Sequence, residues 1–213
     1  MKFPVELFGS ESTAFLVVDK QKAYMDETTL KKGGRSVSDE FHRNFQHLED
    51  YIITMRRRGI RIIWTQMTED EDLSSEPIRK KMAFNRQFSK GKPIIARPGQ
   101  SAFEFAGKVK PLKTEMVMQK DCYDSFGNPE LDKYLRSNDI KSVILTGGFT
   151  SRCVLGTAFG ANSHGYNVLL LEDLLIIPDD YISEVPTVFS IVQGVLGYVT
   201  KSDELLKSWS EDS

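Results

Sequence analysis

The sequence is poor in cysteine, in net charge and in long apolar runs, and each shortage narrows what the chain can be. Cys122 and Cys153 are its two cysteines among 213 residues, which builds no disulfide framework and fits a reducing, cytoplasmic setting. Twenty-eight Lys and Arg stand against 30 Asp and Glu, a formal charge of −2, so nucleic acid and anionic membrane are not expected as main partners. No apolar run approaches the ~18 residues a bilayer span needs. The N-terminus, Met1-Lys2-Phe3-Pro4-Val5-Glu6, lacks the charged-then-apolar pattern of a signal peptide, so a cytoplasmic protein is expected. No repeat, low-complexity tract or linker divides the chain. Its length predicts a single domain over 1–213, large enough to bury about 70% of its unfolded surface without a disulfide or metal.

What the sequence does have is a series of short, β-branched apolar runs: Ala14–Val18, Ile60–Trp64, Glu115–Met118, Ser142–Leu145, Asn167–Leu171 and Gly197–Val199. Continuous runs of four or five, without strict alternation, suit strands buried on both faces. Helical spacing lies between them. Ser38–Arg58 carries Phe41, Phe45, Leu48, Ile52 and Met55, with Gly59 as a stop. Pro129–Asn138, Cys153–His164 and Ser202–Trp209 are further helices. Alternating strands and helices predict an α/β fold: three layers, doubly wound, with a mostly parallel sheet of about six strands. The stretch 68–111, with its acidic run Glu69-Asp70-Glu71-Asp72 and the mixed segment from Met82 to Phe105, reads as an excursion covering one end of the sheet.

In open parallel sheets ligands bind beyond the carboxyl ends of the strands. Asp19 follows the first strand, where it serves either as chemistry or as a helix N-cap. Lys120 follows the third, where a surface lysine with a snorkelling stem is the alternative. After the fourth comes Thr146-Gly147-Gly148-Phe149-Thr150-Ser151-Arg152-Cys153. The glycines allow a tight turn, and Thr150 or Ser151 can cap the helix that starts there. Cys153 then falls in the first helical turn, where unpaired N–H groups and the positive dipole end favour thiolate; a small buried core cysteine is the other reading. Cys122 has no such setting and reads as structural. His42, His47 and His164 follow no strand end, so a Cys–His pair is not supported. Asp19 with Lys120 is the available base and cation for Cys153.

At these residues the sequence resembles the isochorismatase-like cysteine hydrolase superfamily. Three stretches carry the likeness: Phe15–Tyr24 with Asp19 and Gln21; Lys120–Phe126 with Leu131 and Leu135; and Ile140 to Val168 through Thr150, Cys153-Val154, Thr157-Ala158, Ala161 and Gly165-Tyr166. Glu172-Asp173 is read as ending the following strand. The resemblance implies Cys153 as nucleophile, Asp19 as proton acceptor and donor, and Lys120 as electrostatic partner. It also implies a cis peptide at Gly148-Phe149, with the amides of Phe149 and Cys153 as an oxyanion hole. Lys20, Lys22 and Ala23 depart from the family's usual residues and are expected to alter the pocket mouth; Asp124 and Gly160 depart as well. Where nicotinamidases of this superfamily place metal ligands, Met67 and Glu69 stand, so no metal or cofactor is expected and nicotinamide is disfavoured. Tyr24, Trp64, Phe126 and Phe149 lie near the proposed strand ends; aromatics at such places are more often core than substrate wall, and these four are the candidate substrate-contacting residues.

The expected activity is cysteine-dependent hydrolysis of a small amide or related acyl substrate through a thioester. Vinyl-ether hydrolysis of isochorismate is the alternative chemistry. A non-catalytic binding protein on the same fold is the alternative class, and it predicts an unreactive Cys153 and no enclosed pocket. The resemblance also implies a homo-oligomer, dimer or tetramer.

Overall fold

A computed structural model describes residues 3–68, 77, 80 and 96–211. Six strands form one sheet: β1 (Thr13–Val18), β2 (Arg61–Met67), β3 (Met116–Lys120), β4 (Ser142–Gly148), β5 (Asn167–Ile176) and β6 (Tyr198–Thr200). All neighbours pair in parallel, in the order β3-β2-β1-β4-β5-β6. The chain therefore starts in the middle of the sheet, winds outward on one side, and returns to wind outward on the other. The reversal falls between β1 and β4, which opens a crevice at their carboxyl ends.

The pleat sorts the apolar residues between two faces. Ala14, Leu16 and Val18 of β1 join Val143, Leu145, Val168 and Leu170 in one core, under the helices Pro129–Ser137 and Leu155–Ser163. Phe15 and Val17 join Ile62, Trp64, Ile144 and Leu169 in the other, under the helices Asp39–Arg57 and Ser202–Glu211. This is the three-layer α/β arrangement expected from the alternating pattern. The long helix Asp39–Arg57 starts where the Ser38 side chain accepts from Phe41 N, has acids in its first turn and arginines in its last, and is followed by Gly59 at φ 73°.

Three differences from the sequence reading concern strand ends and turns. β2 and β4 run on through Thr65–Met67 and Thr146–Gly148. Apart from Met67 these residues are polar or glycine, yet pairing with β3 for Thr65–Met67, and with β1 and β5 for Thr146–Gly148, holds them in the sheet, and pairing outweighs side-chain apolarity. Glu172-Asp173 does not end β5, which continues to Ile176 past a register shift opposite Leu145–Gly147. The turn puts Asp173 where it accepts from Ser202 N and Oγ at 2.9 and 2.7 Å. Short helices at Lys22–Met25, Glu27–Lys32 and Val185–Ile191 were also not foreseen.

Of the excursion, Glu69–Asp72 and 82–95 lie outside the described residues. Its described end runs back along the chain after β1: Gln21 bridges Phe105, and Phe105 packs edge-on against Trp64 at 5.3 Å. Among the described residues no helix is long and apolar enough to cross a membrane.

Candidate active site

The crevice between β1 and β4 gathers an acid, an amine and a thiol. At the end of β1 the chain turns sharply, with Asp19 in the left-handed region at φ 47°. Gly147, at φ 89° on β4, allows this close approach; a Cβ there would lie 2.3 Å from Val18 O. The Asp19 carboxylate is fully buried. Its Oδ1 accepts from Thr65 Oγ1 at 2.7 Å, while Thr65 Oγ1 accepts from Asp19 N at 3.2 Å. Its Oδ2 takes no aligned hydrogen bond and instead faces Lys120 Nζ at 2.8 Å as an ion pair.

Lys120 ends β3, two strands from β1, so only a long stem brings its ammonium to Asp19. It passes Met67 Sδ at 3.8 Å and donates to the carbonyls of Cys122 and Tyr123 at 2.9 and 3.4 Å. Cys153 completes the group: its side chain is buried, and the charges of both Asp19 and Lys120 act on its thiol. Burial alone would lower the Lys120 pKa. The Asp19 carboxylate and the sulfur more than offset it, so the ammonium is held above its ordinary range. For Cys153, burial is the largest effect and the Asp19 charge adds to it. Lys120 pulls back only in part, and the thiol is pushed well up.

That direction opposes the pull toward thiolate that a helix start alone would exert. Cys153 lies in a π-helical turn, Thr150–Val154, that opens without a side-chain cap. Thr150 Oγ1 donates to Ile176 O, and Ser151 Oγ to Glu184. Desolvation of a buried sulfur beside a carboxylate outweighs the helix terminus. Burial and the Asp19 carboxylate thus favour the neutral thiol at Cys153, beside the Asp19–Lys120 ion pair.

A cavity of about 200 Å³ opens onto this cluster, lined by Tyr24, Met67, Tyr123, Gly148, Phe149, Arg152, Cys153 and Tyr181. It is smaller than the ~300 Å³ at which drug-sized ligand pockets begin, so it suits a small molecule. Phe149 meets Tyr24 edge-on at 5.6 Å and Tyr181 at 6.3 Å. The peptide between Gly148 and Phe149 is cis. Arg152 stacks on Tyr181 at 4.9 Å and is held by both oxygens of Glu184, at 2.5 and 3.1 Å.

Two of the four aromatic candidates, Tyr24 and Phe149, line this cavity, and two do not. Trp64 sits mid-strand, because β2 runs three residues beyond it, and its fully buried ring packs in the core with Nε1 donating to Glu115 at 2.8 Å. Phe126 stacks on His164 at 4.8 Å under the opposite face. Tyr123, Arg152, Tyr181 and the supporting Thr65 and Glu184 were missed. Arg152 carried a signal in its place next to Cys153. Tyr181 carried none, sitting in a polar stretch distant in sequence.

The departures from the family pattern find local reasons. Lys20 does not reach the pocket mouth: its ammonium turns away to Glu49 at 2.8 Å. Lys22 pairs with Glu104 at 2.5 Å, and Ala23 is buried. Asp124 and Gly160 explain each other, since a Cβ on residue 160 would lie 2.1 Å from Asp124 Oδ1. Cys122 donates from Sγ to Asp124 O at 3.2 Å and lines no part of the cavity; nor does any histidine. Met67 lines the cavity, while Glu69 lies outside the described residues. No group of three or more metal-ligating side chains occurs among the described residues.

Fold and cluster together define a doubly wound α/β protein with a buried carboxylate, ammonium and thiol at its switch point. Residues 13–179 match the Isochorismatase domain, and the chain belongs to the isochorismatase family of hydrolases. Over 177 residues it is 28% identical to the ureidoacrylate amidohydrolase RutB of Cronobacter turicensis, covering 78% of this chain and 75% of that one. In structure it is similar to a cysteine hydrolase from Pseudomonas syringae pv. phaseolicola, with a TM-score of 0.80, 18% identity and coverage of 97% and 96%. It is also similar to N-carbamoylsarcosine amidase from Thermoplasma acidophilum, with a TM-score of 0.68, 23% identity and coverage of 90% and 97%.

Proposed function

We propose that this protein is a cysteine amidohydrolase that cleaves the C–N bond of a small amide or ureide through a covalent thioester. The observation that carries the reading is a buried Cys153 thiol that lines an open cavity and feels the charges of the buried Asp19–Lys120 ion pair. A scaffold protein has no use for a buried ion pair closed on a sulfur.

As the substrate carbonyl settles over Cys153, the thiol proton moves to Asp19 and sulfur attacks carbon. Lys120 keeps its proton throughout and steadies the negative charge shared by carboxylate and sulfur. The amides of Phe149 and Cys153 receive the oxyanion. Asp19 then gives its proton to the leaving nitrogen, the C–N bond breaks, and a thioester remains. Water enters, Asp19 takes its proton, and collapse of the second tetrahedral adduct releases the acid and returns the proton to sulfur.

The relatives' names, ureidoacrylate amidohydrolase and N-carbamoylsarcosine amidase, favour a ureide among the possible amides. The rings of Tyr24, edge-on to Phe149, and of Tyr181, tilted to it, suit a flat group, and Arg152, already paired with Glu184, is the one cation among the lining residues. We also propose that the enzyme works in the cytoplasm as a homo-oligomer, a reading supported by the exposed apolar Val195, Phe159 and Ile182.

The test is a panel of ureides, simple amides and isochorismate, assayed before and after treatment with iodoacetamide. Turnover of a ureide that stops with alkylation of Cys153 is the expected result. Turnover of isochorismate that survives full alkylation would assign the vinyl-ether reaction instead.

A further inference from the structure

A second buried ion pair lies directly behind Asp19, and no step of the proposed reaction uses it. Lys20 is fully buried. Its Nζ donates to Glu49 Oε1 at 2.8 Å, to Ala106 O at 2.6 Å and to Val109 O at 3.1 Å, and lies 4.9 Å above the Phe45 ring. Glu49, itself 4% exposed, also accepts from Val109 N at 2.8 Å. Gly107, at φ 69°, leaves that carboxylate its room, since a Cβ there would lie 2.2 Å from Oε1.

The backbone around Lys20 is held as tightly. Lys20 is the middle residue of a three-residue turn closed by Gln21 N donating to Asp19 O at 2.6 Å. Lys20 O accepts from Ala106 N, and Lys22 N donates to Glu104 O, both at 2.8 Å. The Gln21 side chain grips the Met67 backbone from both sides, accepting from its N at 2.7 Å and donating to its O at 3.1 Å.

We infer that Lys20 is a positioning residue: its ammonium, clamped between Glu49 of the long helix and the carbonyls of residues 106 and 109, fixes the Asp19–Gln21 turn and so the direction in which Asp19 presents its carboxylate to Cys153 and Lys120. The inference rests on reading Asp19 as the proton acceptor. Stability alone does not account for the pair. Burial opposes the charge on Lys20, Glu49 supports it, and Lys110 and Arg56 oppose it, leaving its pKa lowered to about 8. A well-packed apolar pair at such a place is as stable as an ion pair or more so. What an apolar pair lacks is a directed, three-pronged hold on the turn beside the reacting carboxylate.

The double variant Lys20→Met/Glu49→Leu removes both charges at similar volume, and Lys20→Arg keeps the charge while replacing a compact head with a planar fork that does not fit three acceptors around one nitrogen. Each is assayed for kcat and KM on a substrate the enzyme turns over. Each is also titrated for the pH dependence of Cys153 alkylation by iodoacetamide, resolved from Cys122 by peptide mass mapping. A small misplacement of a reacting group can lower kcat by about a hundredfold, and a loss of that order with KM unchanged is expected. The apparent pKa of Cys153 alkylation is expected to fall, because the nearby Asp19 charge is one of the effects holding it up. A merely structural Lys20 would move neither readout. Wild-type kcat and a wild-type alkylation pKa in either folded variant would overturn the inference. The alkylation arm needs no substrate, so it decides the role of Lys20 separately. Failure of the covalent mechanism would show instead as an active Cys153→Ala enzyme.

Discussion

Exchanging Lys120 for methionine isolates the energetic core of the site. In the wild-type protein the Lys120 and Asp19 side chains are both 0% exposed and their charged atoms lie 2.8 Å apart. Methionine fills most of the stem's volume but leaves Asp19 Oδ2 facing an apolar group, and it takes the ammonium away from the carbonyls of Cys122 and Tyr123. Removing one partner of a buried ion pair destabilises by about 3–5 kcal/mol, because the remaining charge is uncompensated. For a chain of this size each kcal/mol moves Tm by about 2–4 °C, so a fall of roughly 6–20 °C is expected. The control is Asp19→Asn/Lys120→Met, which removes both charges and should recover much of the loss. Urea unfolding of the wild type, both single variants and the double variant gives the coupling free energy directly. A Lys120→Met protein within about 1 kcal/mol of wild type, at the level of an exposed ion pair, would refute the reasoning. So would strictly additive single and double variants.

Three further outcomes follow from neighbouring contacts. Gly160→Ala should lower stability by about 1–3 kcal/mol, the usual range for overpacking, because the new Cβ meets an Asp124 carboxylate already held by Phe126 N at 2.8 Å. Adding Asp124→Ala should restore most of it, and a Gly160→Ala protein as stable as wild type on thermal melting would contradict the clash. Thr65→Val removes the hydroxyl that donates to Asp19 Oδ1 at 2.7 Å. A hydrogen bond to a charged group is worth about 1.5–3 kcal/mol, so kcat/KM should fall between about ten- and a hundredfold with the circular dichroism spectrum unchanged. The buried Lys20 predicts a pH effect whose sign differs from that of most ion pairs. Its folded pKa of about 8 lies below the ordinary 10.5, so the unfolded chain binds more protons between these values and stability rises with pH across that window, by up to about 3 kcal/mol. Lys20→Met/Glu49→Leu should lack this rise, and parallel stability-against-pH curves for the two proteins would exclude it.

The layers of the fold were legible because six apolar runs and the helical spacing of Phe41, Leu48, Ile52 and Met55 each report local burial. The strand ends were not, because Thr65–Met67 and Thr146–Gly148 are buried by their neighbours in the sheet rather than by their own apolarity. Asp19, Lys120 and Cys153 could be picked out as strand-end residues of chemical character, and the structure brings their reactive atoms together. The helix terminus that favours thiolate at Cys153 is visible in sequence, whereas the desolvation and the Asp19 charge that oppose it exist only after folding. For Trp64 and Phe126 sequence proximity to the strand ends left core and substrate wall both open, and the pleat and the packing of His164 make both core. Tyr181, which lines the cavity, and Glu184, which holds Arg152, lie more than 25 residues beyond Cys153, a distance that no local pattern spans.

One measurement bears on the covalent assignment above all others. Acid-quenching the enzyme in mid-turnover of a ureide or amide and mapping its peptides by mass should find the substrate's acyl group on the sulfur of residue 153, absent from Cys122 and lost on incubation with water. Full-rate hydrolysis of that substrate by the Cys153→Ala protein would show that the sulfur is a bystander and that the acid and amine beside it serve some other reaction.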